Sequence, residues 1–380
     1  MVITAGPGIV RIYARSVNSP APRVLIRHGT VATYRPLDLA QSTLVTEASE
    51  RAQLILEAAG ISGTVGSVSR IDDGRGVFSI VERIHLIDSS LGHATVAIKH
   101  GLNDVNGQAA ISSGAYQREA LAYEVLLPAT GEVLRPECFG VVRHSAGAIS
   151  FVLEDLSSCR SVDQLVGLSR DDIAGVVAEL LDLHVSWSIN PQLMRVDVRR
   201  DTPSHLAADG LVSGLDVIDE VWSSILHDEQ RASFHSLVSH RKDAVAQFVG
   251  EGGETLCHGD PRADNVAFRG DRRAVLFDWQ QLAVQFGEAD LAWLLATSAT
   301  PDVRREVEAE LVASYAIARG QDAATTWRRY RTGMILPGLA VLFLAQRSAT
   351  HDRTRDMIGT SLRRIATAID DLAVVDLIRT

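Results

Sequence analysis

Lysine is almost missing from this chain. Of 37 basic residues only Lys99 and Lys242 are lysines, and every other one is arginine. A sequence that writes nearly all its positive charge as Arg places Lys99 at the end of the apolar run Thr95–Ile98. That position asks for a compact point charge, which a planar guanidinium does not supply. Cysteine is scarce too. Cys138, Cys159 and Cys257 form no C-x-x-C pair and cannot all be paired, which fits a reducing cytosol and a cytoplasmic protein. Cys257 reads as a small buried hydrophobe rather than a reactive thiol. No apolar run approaches the roughly 18 residues of a membrane span, so no membrane partner is expected. Positive charge is not in excess: the net charge of −10 argues against a nucleic-acid partner. The first 37 residues hold five arginines and no Asp or Glu, a composition like that of a transit peptide. The arginine preference of the whole chain deprives that likeness of meaning. No internal repeat or low-complexity tract stands out.

What is present suits an ordinary globular enzyme. At 380 residues, 46% hydrophobic and 22% charged, the chain can build two lobes with sizeable cores. Its chemistry concentrates in residues 255–278, which contain His258, Asp260, Asn265 and Asp278. The short apolar runs Val266–Phe268 and Ala274–Phe277, split by Arg269-Gly270-Asp271, predict a hairpin that folds Asp278 back beside Asn265 and Asp260. Two carboxylates and an amide crowded together need a cation, and hard oxygen ligands of this kind suit Mg²⁺. One carboxylate is left over to take a proton.

The pattern His258-Gly259-Asp260, with Asn265 five residues later and Asp278 ending the next strand, resembles the aminoglycoside phosphotransferase and choline kinase superfamily. Leu276-Phe277-Asp278-Trp279-Gln280 and Asp290-Leu291-Ala292 are similar to its ecdysteroid-kinase-like branch and that branch's bacterial relatives. The resemblance implies an α+β, bilobal, protein-kinase-like fold, with an N-terminal antiparallel sheet lobe and a larger, mainly helical C-terminal lobe. The expected division is a leader of uncertain order over 1–40, a nucleotide-binding lobe over 41–156 and a catalytic, substrate-binding lobe over 157–380. The implied cofactors are ATP and Mg²⁺. The implied roles are Asp260 as catalytic base, Asn265 and Asp278 as metal ligands, and Lys99 on the α- and β-phosphates, steadied by a helix carboxylate.

Taken in order, Ser42–Ala59 predicts a helix. Strands are expected over Val65–Ile71 and Val77–Leu86, and the turn Asp72-Asp73-Gly74-Arg75-Gly76 between them leaves room for phosphate at Gly74 and Gly76. Thr95–His100 is the strand of Lys99, and a helix follows over Ala115–Leu127. Glu119 and Glu124 both qualify as the lysine's partner; the family's Arg-Glu-x-x-x-Tyr stretch, here Arg118 to Tyr123, favours Glu119. Strands Cys138–Arg143 and Ala148–Leu153 lead to Leu153-Glu154-Asp155-Leu156, which resembles the family's hinge, where backbone groups around Glu154 and Leu156 would read adenine. Ser169 is an N-cap with Asp171 and Asp172 in the first turn, and apolar periodicity from Ile173 to Trp187 buries one face, His184 included, as a core histidine bonded to backbone. In relatives, the place of residues 190–215 shapes the substrate pocket. Helices are expected over Leu215–Leu226, Ser236–Val249, Pro301–Gly320 and Thr325–Leu377. His258 reads as bracing the catalytic loop, Asp264 as a loop or surface carboxylate, and Asp290 as a helix-start or loop-bracing group.

The reading is an ATP-dependent kinase of a small-molecule hydroxyl acceptor, monomeric or homodimeric. One alternative is an antibiotic phosphotransferase, although Asp370-Asp371 does not form the acidic cluster that holds polycations. The other is a nucleotide-binding module without turnover. Asp278-Trp279-Gln280 in place of Asp-Phe-Gly disfavours a protein kinase.

Overall fold

The computed structural model describes residues 2–6, 9–13, 48–71, 79–102, 104–130, 133–188, 210–270, 272–346 and 352–378. The turn holding Gly74 and Gly76 and most of the 190–215 segment lie outside the described residues. Within the stretch expected as a leader, Val2–Gly6 and Ile9–Tyr13 pair as an antiparallel hairpin.

Five antiparallel strands then form one sheet in the order Thr64–Arg70, Ser79–Ile87, Thr95–Gly101, Ile149–Glu154 and Cys138–Arg143. The central strand is buried along nearly its whole length, so its alternation sorts residues between two covered faces. Val96 and Ile98 face one way and pack with Ile55 and Leu56 of the Ala48–Ala58 helix. Phe151, paired with Lys99 across the ladder, belongs to the core on the other face. The helix covering that face runs Ala115–Leu121, loosens into a π-helical turn over Ala122–Leu126, and closes over Leu127–Thr130. Such π turns are inserted where a helix must re-aim its side chains.

The sheet ends at Glu154, and a 3₁₀ turn over Leu156–Ser158 carries the chain to the helical part. There Arg170–Trp187 starts from a capping box in which Ser169 and Asp172 satisfy each other's backbone groups. The hairpin Val266–Phe268 with Ala274–Leu276 forms as expected, and Arg160–Ser161 adds a short third strand. A second small sheet, Thr255–Cys257 with Ala283–Gln285, was not anticipated, because three-residue strands leave no periodicity to read.

Helical boundaries shift in several places. Leu215–Leu226 becomes Gly210–Val221. The single helix expected over Ser236–Val249 is two, Asp228–Ser239 and Arg241–Gly250, broken at His240. His240 leaves the helical backbone and its ring Nδ1 lies 3.0 Å from the Ser236 carbonyl. The last run divides into Ala323–Gly333, Ile335–Ala345 and Asp352–Asp371, after Glu288–Ser298 and Pro301–Arg319. One hydrophobic core runs from Tyr116 and Phe151 through Val266 and Leu276 to Leu294 and Ile365. The sheet that carries Lys99 is thereby packed against the part that carries the hairpin. No helix among the described residues is long and apolar enough to cross a membrane.

Candidate active site

Lys99 projects from the central strand, 6% exposed, and its Nζ meets three carboxylate oxygens. Both Glu119 oxygens lie at 2.8 Å and Asp278 Oδ1 at 2.7 Å. Burial works against the lysine's charge, but Asp278 and Glu119 outweigh it and raise its pKa. Glu124, the rival partner, turns outward and pairs with Arg143 at 2.6 Å. Arg118, one residue before Glu119, donates to the Gln280 carbonyl at 3.0 Å, which ties the helix to the segment after Asp278.

Asp278 ends the hairpin with φ 63 and ψ 65, the left-handed region that Asp tolerates better than most residues. The neighbouring Phe277 N–H donates to the Asn265 carbonyl at 3.1 Å, so the hairpin register sets Asn265 beside Asp278. The Asn265 Nδ2 donates to the Asp260 carbonyl at 2.9 Å and to Asp260 Oδ2 at 3.1 Å. Among the described residues nothing bonds the remaining Asn265 Oδ1. On the far side, Trp293 Nε1 donates to Asp260 Oδ1 at 2.7 Å. Burial, reinforced by Asp278, pushes the Asp260 carboxyl up to about 6, while Arg262, Trp293 and Asn265 pull it down. That value suits a group that takes a proton near neutral pH.

The loop is held from beneath. Asp290, in the first turn of Glu288–Ser298, accepts the His258 N–H at 2.7 Å and the Gly259 N–H at 2.9 Å. Its Oδ2 also bonds His184 Nε2 at 3.1 Å, and His184 Nδ1 bonds the Tyr315 hydroxyl at 2.7 Å. His184 is a core histidine, but the expected backbone partner is replaced by two side chains. It could not be read from sequence because Tyr315 and Asp290 lie more than a hundred residues away. Gly287 makes the trio possible, since a Cβ there would meet the Tyr315 hydroxyl at 2.1 Å. Gly259 is required twice: its φ is +82, and a Cβ would stand 2.2 Å from the Gln281 carbonyl oxygen.

His258 is fully buried and stacks 4.4 Å from the Trp279 ring. Its Nε2 bonds the Phe277 carbonyl at 3.0 Å and its Nδ1 faces the Asp260 N–H at 3.3 Å. One nitrogen donates and the other accepts, so the ring is neutral, as burial also favours. It braces the loop and holds no spare nitrogen for a proton. Burial likewise raises the Cys257 thiol well above its ordinary value, as for a small buried hydrophobe. Asp264 is a half-buried loop carboxylate, 3.9 Å from Arg262.

At the expected hinge, Glu154 pairs with Arg269 at 2.9 Å and Leu156 opens the 3₁₀ turn. Two neighbours of Asp260 escaped the sequence reading, Trp293 and Arg262. Trp293 was within reach: it follows Asp290 by three residues on one helix, hence on the same face.

The donors present fit Mg²⁺. Asp278 offers a carboxylate, Asn265 an amide oxygen that nothing else uses among the described residues, and both are hard ligands set side by side. The buried Gln280 Oε1, two residues from Asp278, also lacks a hydrogen bond among the described residues.

Comparison with known proteins shows the family and the fold. The model of the ecdysteroid kinase-like family matches residues 73–318. The GDP complex of wild-type aminoglycoside 2'-phosphotransferase-IIIa is similar at 14% identity, over 86% of this chain and 99% of that one, with a TM-score of 0.51. Amicoumacin kinase hAmiN, solved with AMP-PNP, Ca²⁺ and Ami, is 12% identical over 83% of this chain and 93% of its own, TM-score 0.51. A choline/ethanolamine kinase family protein from Mesorhizobium loti is 16% identical over 87% and 98%, TM-score 0.48. A search of curated proteins finds no match. At such identities the likeness is one of fold: bilobal, α+β and kinase-like.

Proposed function

The chain belongs to the ecdysteroid kinase-like family, and from that premise we propose that it transfers the γ-phosphoryl group of ATP to a hydroxyl of a small molecule. One observation carries the reading. Lys99, paired with Glu119, meets Asp278 at 2.7 Å, and the Asp260–Asn265 loop lies directly beside. A phosphate-binding cation, two metal ligands and a base thus converge.

Asp260 takes the acceptor's proton and aims its oxygen at the γ-phosphorus. Asn265 and Asp278 would hold Mg²⁺, which would neutralise the phosphate charge. Lys99 leaves Asp278 for the α- and β-phosphates and stays anchored by Glu119. The assignment of Gly74 and Gly76 to the phosphates rests on the sequence pattern alone, and the backbone around Glu154 and Leu156 reads adenine. The acceptor is a soluble metabolite, and the setting is the cytoplasm.

The test is Mg²⁺-dependent transfer from γ-labelled ATP to a panel of steroids, choline, sugars and aminoglycosides, comparing wild type with Asp260→Asn. Product with one class, reduced about a thousandfold in the variant, is expected. ATP binding with neither transfer nor slow hydrolysis dependent on Asp260 would leave only a nucleotide-binding module.

A further inference from the structure

We propose that Arg262 is a catalytic residue whose guanidinium contacts the phosphoryl group during its transfer. The inference rests on the phosphotransfer reading above.

Arg262 follows Asp260 by two residues, and its Nε stands 3.5 Å from Asp260 Oδ2. That Nε is buried and has no hydrogen-bond partner among the described residues. The other contacts are loose: Nη1 lies 3.9 Å from Asp264 Oδ2 and 4.0 Å from Met357 Sδ. A buried N–H held near charge but bonded to nothing is costly, and a partner absent from the apo protein removes the cost.

The two oxygens of Asp260 tell where that partner lies. Trp293 closes Oδ1 with a 2.7 Å bond, whereas Asn265 and Arg262 both face Oδ2. Oδ2 is therefore the oxygen on the metal-ligand side, and it is the one that receives the acceptor's proton. In the step, the acceptor O–H gives its proton to Asp260 and the freed electron pair forms the new P–O bond. The bond from the γ-phosphorus to the bridging oxygen breaks, and its pair leaves with the nucleoside diphosphate. The transferring group carries negative charge on three equatorial oxygens throughout. Lys99 sits on the nucleotide side, already between Glu119 and Asp278. Among the described residues, Arg262 is the cation within 4 Å of Asp260. A planar guanidinium offers paired donors to two phosphoryl oxygens, which an isolated ion-pair role does not need.

The experiment titrates the full chain with Mg·ADP, with and without aluminium fluoride, a planar mimic of the phosphoryl group in transit, and reads affinity by calorimetry. In wild type, aluminium fluoride tightens Mg·ADP binding. In Arg262→Gln, Mg·ADP affinity is expected within about twofold of wild type while the tightening falls about a hundredfold. Arg262→Lys, which keeps the charge without the paired donors, recovers only part of it. Tightening equal to wild type in either variant overturns the proposal, and so does an equal loss of plain Mg·ADP affinity, which marks a structural role. Tightening that is lost in Asp278→Asn but kept in Arg262→Gln overturns Arg262 alone. A wild-type chain that aluminium fluoride does not tighten overturns the phosphotransfer reading together with it.

Discussion

Asp260 is a carboxyl set between conflicting neighbours. Burial and Asp278 favour its neutral form, while Arg262, Trp293 and Asn265 favour the ionised one, and the balance lies at about 6. A base works only when ionised, so kcat/KM should fall about tenfold per pH unit below that value, because it reports the free enzyme. A pH profile of transfer or of slow ATP hydrolysis checks this, and a flat profile down to pH 4.5 would remove Asp260 from the base role. At this scale the sequence was most informative where function demands rare residues in a short span: His258, Asp260, Asn265 and Asp278 all fall within one hairpin's length. Arg262 was silent because arginine usually serves as solvated charge, and Trp293 was marked only by its helical spacing from Asp290. The distances to Asp260 set both apart.

Elements decide whether those residues can meet. The helix bearing Glu119 is pinned through Arg118 to the Gln280 carbonyl, which ties the lysine's partner to the segment after Asp278. The catalytic loop turns at Gly259, where the left-handed backbone alone would cost an alanine about 1–2 kcal/mol. The Gln281 carbonyl, 2.2 Å from the position of a Cβ, adds a clash with backbone that cannot step aside. Gly259→Ala should lower stability in urea unfolding by more than that figure and cut turnover over a hundredfold. A variant with native stability and activity would show that the loop tolerates another path. Strands of six or more residues and the capped helix from Ser169 were legible, since alternation and capping act locally. The mini-sheet at Thr255–Cys257 and the break at His240 were not, because three-residue pairing and a single side-chain contact leave no periodic trace.

For the whole molecule, one core joins the sheet to the helices, and the proposed nucleotide site lies where they meet. A ligand that binds only the folded chain stabilises it by mass action, about 2.7 kcal/mol at a hundredfold excess over Kd. Mg·ATP should therefore raise Tm by several degrees in thermal unfolding. Asp278→Asn should abolish the rise and Asp260→Asn should keep it, since in the proposed function the first holds the metal and the second acts on the acceptor. Equal responses from both variants would contradict that division.

The motifs by themselves carried the family resemblance, and with it the expected fold class, and they marked the hairpin around Val266–Leu276 and the singular lysine, because each depends on neighbours close along the chain. The choice of Glu119 over Glu124 became a fact of structure only when one carboxylate turned inward to Lys99 and the other outward to Arg143. The loop's foundation, His184 and Tyr315 under Asp290, was decided by tertiary packing as well. Contacts between residues a hundred positions apart depend on how whole elements pack, and no local pattern encodes that distance.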